Sequence, residues 1–324
     1  MSSSNLQRVK PPALRPGDTI GIAAPASNLK QDDLDAGCAA LERAGYRTIY
    51  LYSIFDRDLY FAGSVERRAR ELEEMFVRAD VRAIVCARGG YGANYLLQNL
   101  DLDKIQSHPK IFVGYSDLTT LLTYFADSAG FVTFQGPMVA KDFARADGVD
   151  LLSWEHALHG LTEWALPPDS EVKPLVEGSA DGILYGGCLS MLVASLGTPY
   201  EIRPAGTILF IEDVATKPYQ IDRMLMQLKL AGKLADVHGI VFGEMLDCLQ
   251  TKDQVYTLEE VILRVVDDLG VPVAYGLCSG HVSQQNITLP IGVRARLNVS
   301  GKVELKILEA ATARTVSSRS AGGE

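Results

Sequence analysis

The feature that most constrains this chain is the rhythm of its first half. Short apolar runs at residues 19–24, 48–51, 83–87 and 111–115 alternate with stretches whose apolar residues recur at helical spacing. Val65, Ala69, Leu72 and Phe76, for example, stand at i, i+4, i+7 and i+11. Strands that are apolar throughout, separated by amphipathic helices, predict a parallel sheet covered on both faces, an α/β domain. The pattern changes after Ala165-Leu166-Pro167-Pro168-Asp169-Ser170, which cannot continue a helix and reads as a linker. Beyond it, helical stripes (Leu189, Leu192, Val193, Leu196; Ile221, Met224, Leu225, Leu228; Leu258, Val261, Ile262, Val265, Leu269) mix with strand-like runs at 207–211, 239–242 and 273–277. Residues 294–299 and 302–307 alternate and are joined by Ser300-Gly301, the signature of a hairpin. The expectation is a flexible arm over 1–16, an α/β domain over 17–164, a linker over 165–178, an α+β domain over 179–311 and a flexible tail over 312–324.

Composition narrows the functional classes. Lys and Arg number 31 against 40 Asp and Glu, a net charge of −9, so the basic stripe that nucleic-acid binding needs is not expected. The first residues lack the apolar core of a secretory signal. The most apolar stretch, 183–197, is interrupted by Gly186, Gly187, Ser190 and Ser195 and is too short to span a membrane. Cys38, Cys86, Cys188, Cys248 and Cys278 are odd in number, widely spaced and without a C-x-x-C. They argue against disulfides and a cysteine zinc site, and for a reducing cytoplasm.

Four local patterns could carry chemistry. An apolar strand runs into Gly114-Tyr115-Ser116, and a helix with Leu118, Leu121, Leu122 and Phe125 on one face follows. This places the Ser116 hydroxyl at the C-terminal edge of a sheet, where open α/β folds build their sites. It resembles a nucleophile elbow, although Leu118 stands where G-x-S-x-G has its last glycine; a plain helix N-cap is the alternative. Arg88-Gly89-Gly90-Tyr91-Gly92, directly after another strand, fits a phosphate cradle, an oxyanion hole or a tight turn. Among five histidines, His156 and His159 have an i, i+3 spacing that could serve a metal but lack a third ligand nearby, while His281 follows a strand and a Cys278-Ser279-Gly280 turn. As a base it competes with a structural loop histidine. Glu212-Asp213 end the strand at 207–211, with Arg223 close by in sequence as an ion-pair partner.

Together these stretches resemble the LD-carboxypeptidases, the serine-peptidase family of murein tetrapeptide carboxypeptidases and microcin C immunity peptidases. The resemblance runs from about Leu14 to about Leu308, through Ala24-Pro-Ala-Ser27, Arg88-Gly-Gly-Tyr-Gly92, Gly114-Tyr-Ser-Asp-Leu118, Gly186-Gly187, Leu196-Gly-Thr-Pro-Tyr-Glu201, Ile211-Glu-Asp213, Pro218-Tyr-Gln-Ile-Asp-Arg-Met-Leu225, Gly280-His281 and Thr288-Leu-Pro290. It implies a Ser116–Glu212–His281 triad, an oxyanion hole from the backbone N–H groups of Gly90 and Asp117, and a site in the cleft between the two domains. It also implies a homodimer, no metal or other cofactor, and a cytoplasmic murein tetrapeptide as substrate, cut between an L-centre of a diamino acid and terminal D-alanine. A microcin C immunity-type enzyme acting on a peptidyl nucleotide is the alternative, and a non-catalytic anion-binding module a more distant one. The substrate's carboxylates call for local cations, expected at Arg88, Lys217 or Arg223. Cys188 departs from the family, whose members often carry Asn there.

Overall fold

The expected alternation folds into two sheets. In the computed structural model, which describes residues 8–166, 172–249 and 255–313, the first half supplies β1 (Thr19–Ala23), β2 (Arg47–Ile49), β3 (Val81–Cys86), β4 (Ile111–Gly114) and β5 (Thr133–Gln135). The second supplies β6 (Trp164–Ala165), β7 (Lys173–Val176), β8 (Gly178–Cys188), β9 (Thr207–Glu212), β10 (Gly239–Gly243), β11 (Val273–Leu277), β12 (Leu289–Ile291), β13 (Arg294–Ser300) and β14 (Lys302–Ile307). The first sheet has the order β12-β5-β4-β3-β1-β2, the second β6-β14-β13-β8-β9-β10-β11-β7. β1 to β5 pair parallel; the second sheet has a parallel centre, β8 to β11, flanked by antiparallel strands.

Alternate strand residues go to opposite faces, as the pleat requires. Ile84, Cys86 and Phe112 pack with Leu72 and Phe76 of the helix Val65–Val77 on one side. Val85 and Val113 face the other way, into an apolar cluster that also holds Phe210 and Val241 of the second sheet. The two halves therefore share one core, and burial of that common surface holds the cleft walls together.

Two connections place the site. β12 comes from the second half of the sequence yet pairs antiparallel with β5, so the chain leaves the second sheet after β11, crosses to the first and returns for β13. Pro290 is tolerated there because β12 is an edge strand. The loop before β12 carries His281. At the other contact, the Cys188 N–H donates to Thr119 Oγ1 (3.0 Å), joining the end of β8 to the helix that follows Ser116.

The boundaries need correction. Val9 bridges Phe131, the Ala13 N–H donates to the carbonyl of Ala313 (2.9 Å), and Leu14 is fully buried. The described part of the expected arm is thus a strap pinned by an apolar anchor. Trp164–Ala165 pairs with β14, and residues 173–176 and 178 belong to strands, so the described ends of the expected linker lie in the second sheet. Residues 1–7, 167–171 and 314–324 of the arm, linker and tail fall outside the described part. All five cysteines are buried, and no described helix is long and apolar enough to cross a membrane.

Candidate active site

Ser116 sits at a break in the backbone. β4 ends at Gly114, Tyr115 is extended, and Ser116 takes φ +65° before the chain turns into the helix Thr119–Tyr124. A non-glycine residue in the left-handed region is strained, and such strain persists where the surroundings over-determine it. The surroundings here are glycines. A methyl group on Gly114 would lie 3.1 Å from Leu118 Cβ, and one on Gly89 would lie 2.9 Å from Ser116 Cβ. The glycine loop of residues 89–92 can therefore lie against the serine. Gly90 has φ +107°, and any Cβ there would meet Ser27 Oγ at 2.3 Å. Ser27 secures the same loop, its Oγ accepting from the Tyr91 N–H (3.1 Å).

The acid and base come from the second sheet and its crossover loop. Glu212, the last residue of β9, is completely buried, and its Oε2 accepts from both the Nδ1–H (2.7 Å) and the backbone N–H (3.1 Å) of His281. A buried carboxylate needs such partners, and engaging Nδ1 leaves Nε2 of His281 for other chemistry. Close approach is made possible by Gly280, where a Cβ would come within 2.6 Å of Glu212 Cδ. Asn286 staples the His281 loop: its Oδ1 accepts from the Gly280 N–H (3.0 Å) and its Nδ2 donates to the Gly280 carbonyl (3.0 Å). The Tyr115 ring meets the imidazole edge-on, centroids 5.1 Å apart, and its hydroxyl donates to Asp142. Burial, ahead of the nearby Asp142 and Glu212 charges, raises the Tyr115 phenol well above its ordinary value and keeps it a donor.

Asp213, the other member of the carboxylate pair, is turned away. Its Oδ2 accepts from the Ser190 N–H and hydroxyl, its Oδ1 from the Val214 N–H and Thr216 hydroxyl. It closes the turn after β9. Asp117 is buried beside Ser116, its carboxyl raised to about 6 by desolvation against the opposing pull of the Ala93 N–H and the Arg68 charge.

Ser116, His281, Gly89 and Gly90 line one cleft of about 500 Å³. Of the three cations expected from sequence, Arg88 lines it too; Lys217 is not among its walls. Arg223 is misplaced by the sequence reading: it lies over the Tyr219 ring and lines a separate depression on the helix Pro218–Leu230. Closeness in sequence to Glu212 and Asp213 was no guide to direction. Two cations were missed, Lys30 and Lys141, the latter 5.9 Å from the Tyr115 ring centroid. The cleft so carries Lys30, Arg88 and Lys141 against Asp33, a positive site on an acidic protein. Nothing local in the sequence marks either lysine; both arrive through tertiary packing.

The histidine pair does not gather ligands. His159 Nε2 is paired with the Tyr46 hydroxyl (3.0 Å), and His156 packs against Trp164. Among the described residues no group of three or more His, Cys, Asp or Glu side chains could hold a metal ion.

A serine in strained backbone, a buried carboxylate–imidazole pair and backbone donors around one cationic cleft can together perform acyl transfer. Comparison with known proteins fits this chemistry. Residues 20–136 match the LD-carboxypeptidase N-terminal domain and residues 181–297 the LD-carboxypeptidase C-terminal domain. A Bacillus subtilis protein named "Probable murein peptide carboxypeptidase" is 40% identical over 296 residues, covering 90% of this chain and 92% of that protein. The crystal structure of muramoyltetrapeptide carboxypeptidase from Oxalobacter formigenes superposes with a TM-score of 0.80 at 31% identity, covering 90% of this chain and 99% of that one. MccF in complex with glutamyl sulfamoyl guanosine gives 0.85 at 26% identity, covering 94% and 99%. With both domain models matched in order and relatives of this identity aligned over nine-tenths of its length, the chain belongs to the LD-carboxypeptidase family of serine peptidases.

Proposed function

We propose that this enzyme is a serine LD-carboxypeptidase that removes the terminal D-alanine from murein tetrapeptides in the cytoplasm, as a step in peptidoglycan recycling, and that it works as a homodimer. One observation carries the reading: the buried Glu212–His281 pair is delivered from the second sheet to the cleft in which the strained Ser116 stands. In this reading Ser116 Oγ attacks the carbonyl carbon of the scissile amide while His281 Nε2 takes its proton. The oxyanion is held by the N–H groups of Gly90 and Asp117, each such donor being worth ~10²–10³ in rate. Collapse breaks the C–N bond, and His281 returns the proton to the departing D-alanine amine. Water, deprotonated by the same imidazole, then hydrolyses the acyl ester and regenerates Ser116. Glu212 fixes the imidazole tautomer and stabilises the imidazolium without being protonated. Arg88, joined by Lys30 and Lys141, supplies the positive field for the substrate's carboxylates; Lys217, which does not line the cleft, is the next candidate.

The immunity-type alternative needs an aromatic platform for a nucleobase. Both tryptophans are buried, Trp154 against Phe143 and Trp164 against His156, so neither can be that platform. Incubation with murein tetrapeptide and, separately, with an aminoacyl sulfamoyl nucleotide, followed by mass analysis, tests the choice. Conversion of tetrapeptide to tripeptide plus D-alanine is expected. Cleavage of the nucleotide conjugate alone would replace this reading with the immunity type.

A further inference from the structure

The Asp117 carboxylate has no part in the triad, yet it is buried directly beside the nucleophile. Its Oδ2 accepts from the Ala93 N–H at 2.7 Å, and the Gly92 N–H of the same loop also lies against the carboxylate. Ala93 follows the glycine loop 89–92, so this bond ties the turn carrying Ser116 to the loop carrying Gly90. Arg68, from the helix Val65–Val77, completes the arrangement. Although nearly fully buried, it spends its guanidinium on backbone: Nη1 donates to the carbonyls of Pro25 (2.6 Å) and Gly92 (2.8 Å), and Nε to that of Gly63 (3.2 Å). The cation also faces Asp117, whose charge it offsets. Ser27 and Arg68 hold the glycine loop to the rest of the first domain, whereas Asp117 holds it to the nucleophile's own turn.

We propose that the Asp117 side chain, backed by Arg68, is a positioning residue that sets the spacing between the two oxyanion donors, the N–H groups of Gly90 and of Asp117 itself. The inference rests on the serine-peptidase reading above. The donors lie on separate segments, and an oxyanion needs both within about 2.7–3.1 Å at once. The loop between Gly89 and Gly92 contains two residues at positive φ and has little stiffness of its own; Ser27 and Arg68 fix it to the first domain, and the link at Ala93 fixes it to the nucleophile's turn. A bond that matters only when negative charge develops on the substrate should act on the chemical step and leave substrate binding nearly unchanged.

Protonation supplies an independent handle. Arg68 is the charged group facing Asp117, and Arg68 in turn faces Arg67, Asp58 and Glu66. With Asp117 titrating at about 6, lowering the pH converts its acceptor from carboxylate to carboxylic acid and weakens the grip on Ala93 within the working range. The base must also be neutral to accept the serine proton, so two protonations oppose the reaction.

The test uses the full-length chain and reads both tetrapeptide turnover and the rate at which a fluorophosphonate labels Ser116, a reaction that develops the same oxyanion whatever the natural substrate. Asp117→Ala, with folding checked by thermal melting, should lose ~10–100-fold in kcat and in labelling rate with KM within threefold, less than deletion of a whole donor. Asp117→Asn keeps a neutral acceptor for Ala93, the counterpart of the protonated acid, and should show a smaller part of the same loss in kcat and labelling at pH 8. Its kcat/KM should fall less steeply on the acid side than that of the unaltered enzyme, because the Asp117 protonation is gone. Unchanged kcat and labelling in folded Asp117→Ala, or a rise in KM alone, overturns the proposal. Should Asp117→Ala not fold, an acid limb in Asp117→Asn as steep as the wild type's overturns it equally. Failure of the wild type to label at Ser116 would instead remove the serine-peptidase reading and this inference with it, while labelling without tetrapeptide turnover would remove only the substrate assignment.

Discussion

The two halves of the site are built by different physics. Around Ser116 the work is done by backbone: a positive φ, and glycines that let a loop lie where a side chain would collide. Around Glu212 and His281 it is done by burial and hydrogen bonds, with a carboxylate of zero exposure accepting twice from one histidine. The first arrangement depends on close backbone approach, as where Gly89 lies against Ser116 and Ser27 holds the Tyr91 N–H; the second depends on a carboxylate shut away from water, joins residues 69 apart and would fail if water entered. The nucleophile's wall should therefore be broken by added atoms, the acid–base wall by lost charge or partners.

The largest effect is expected from the triad itself. Ser116→Ala and His281→Ala should each reduce turnover by orders of magnitude in a folded protein. The double variant should be little worse than the more damaging single one, because the members act as a unit. Multiplicative losses would mean that the two walls do not cooperate. Glu212→Gln keeps an oxygen for both His281 N–H groups but loses the charge, and kcat should fall by ~10²–10⁴-fold, by the loss of tautomer control and imidazolium support. Rates unaffected by this change would detach the carboxylate from catalysis.

Close approach makes the next predictions. Gly89→Ala puts a methyl group 2.9 Å from Ser116 Cβ, and Gly280→Ala puts one 2.6 Å from Glu212 Cδ at φ +95°. Gly89→Ala should cut activity with a modest loss of melting temperature. Gly280→Ala should cost both, since it strains the backbone and disturbs the buried carboxylate–imidazole hydrogen bonds. Melting curves alongside kinetics separate the two cases, and equal melting losses would erase the contrast between the walls.

That contrast also explains what could be read beforehand. The strand–turn–helix around Ser116, the tip of β9 at Glu212 and the hairpin of β13 and β14 have local signatures, and all are present. Their pairing across the cleft was reached only through the family resemblance, because the β12 crossover that brings His281 over is a three-residue strand. β8 was obscured by its own glycines. Gly186 is needed there, as a Cβ would meet the Phe210 carbonyl oxygen at 2.0 Å, but glycine pairs read locally as turns. Lys30 and Lys141 carry no sequence signal, since each reaches the cleft through tertiary packing; the Asn286 staple grips Gly280 only six residues away, but in a loop whose sequence has no periodicity to mark it.

Smaller effects sharpen the account of the cleft. Arg88→Met and Lys141→Met should chiefly raise KM, by ~3–30-fold if each binds ground and transition states alike. Arg223→Met should leave KM unchanged, and a comparable rise there would return that residue to the site. For stability, the Asp117 carboxyl has a folded value raised to about 6, above its ordinary 3.8, so its ionised form costs stability at neutral pH. The cost disappears as pH falls from above 6 towards 4. Asp117→Asn, which carries no such cost, should therefore gain least over the wild type near pH 4.5 and most at pH 7. A melting difference independent of pH would contradict the burial argument.

The central claim is that this two-walled cleft cuts next to a free carboxylate of D configuration. It is tested most directly by mass analysis of three tetrapeptides identical except at the end: terminal D-alanine, terminal L-alanine, and D-alanine amide. Only the first should lose its last residue, the others reacting ~10²-fold more slowly or less, because a misdirected or missing carboxylate leaves cleft cations unpaired. Equal turnover of the amide or of the L-alanine peptide would contradict the account.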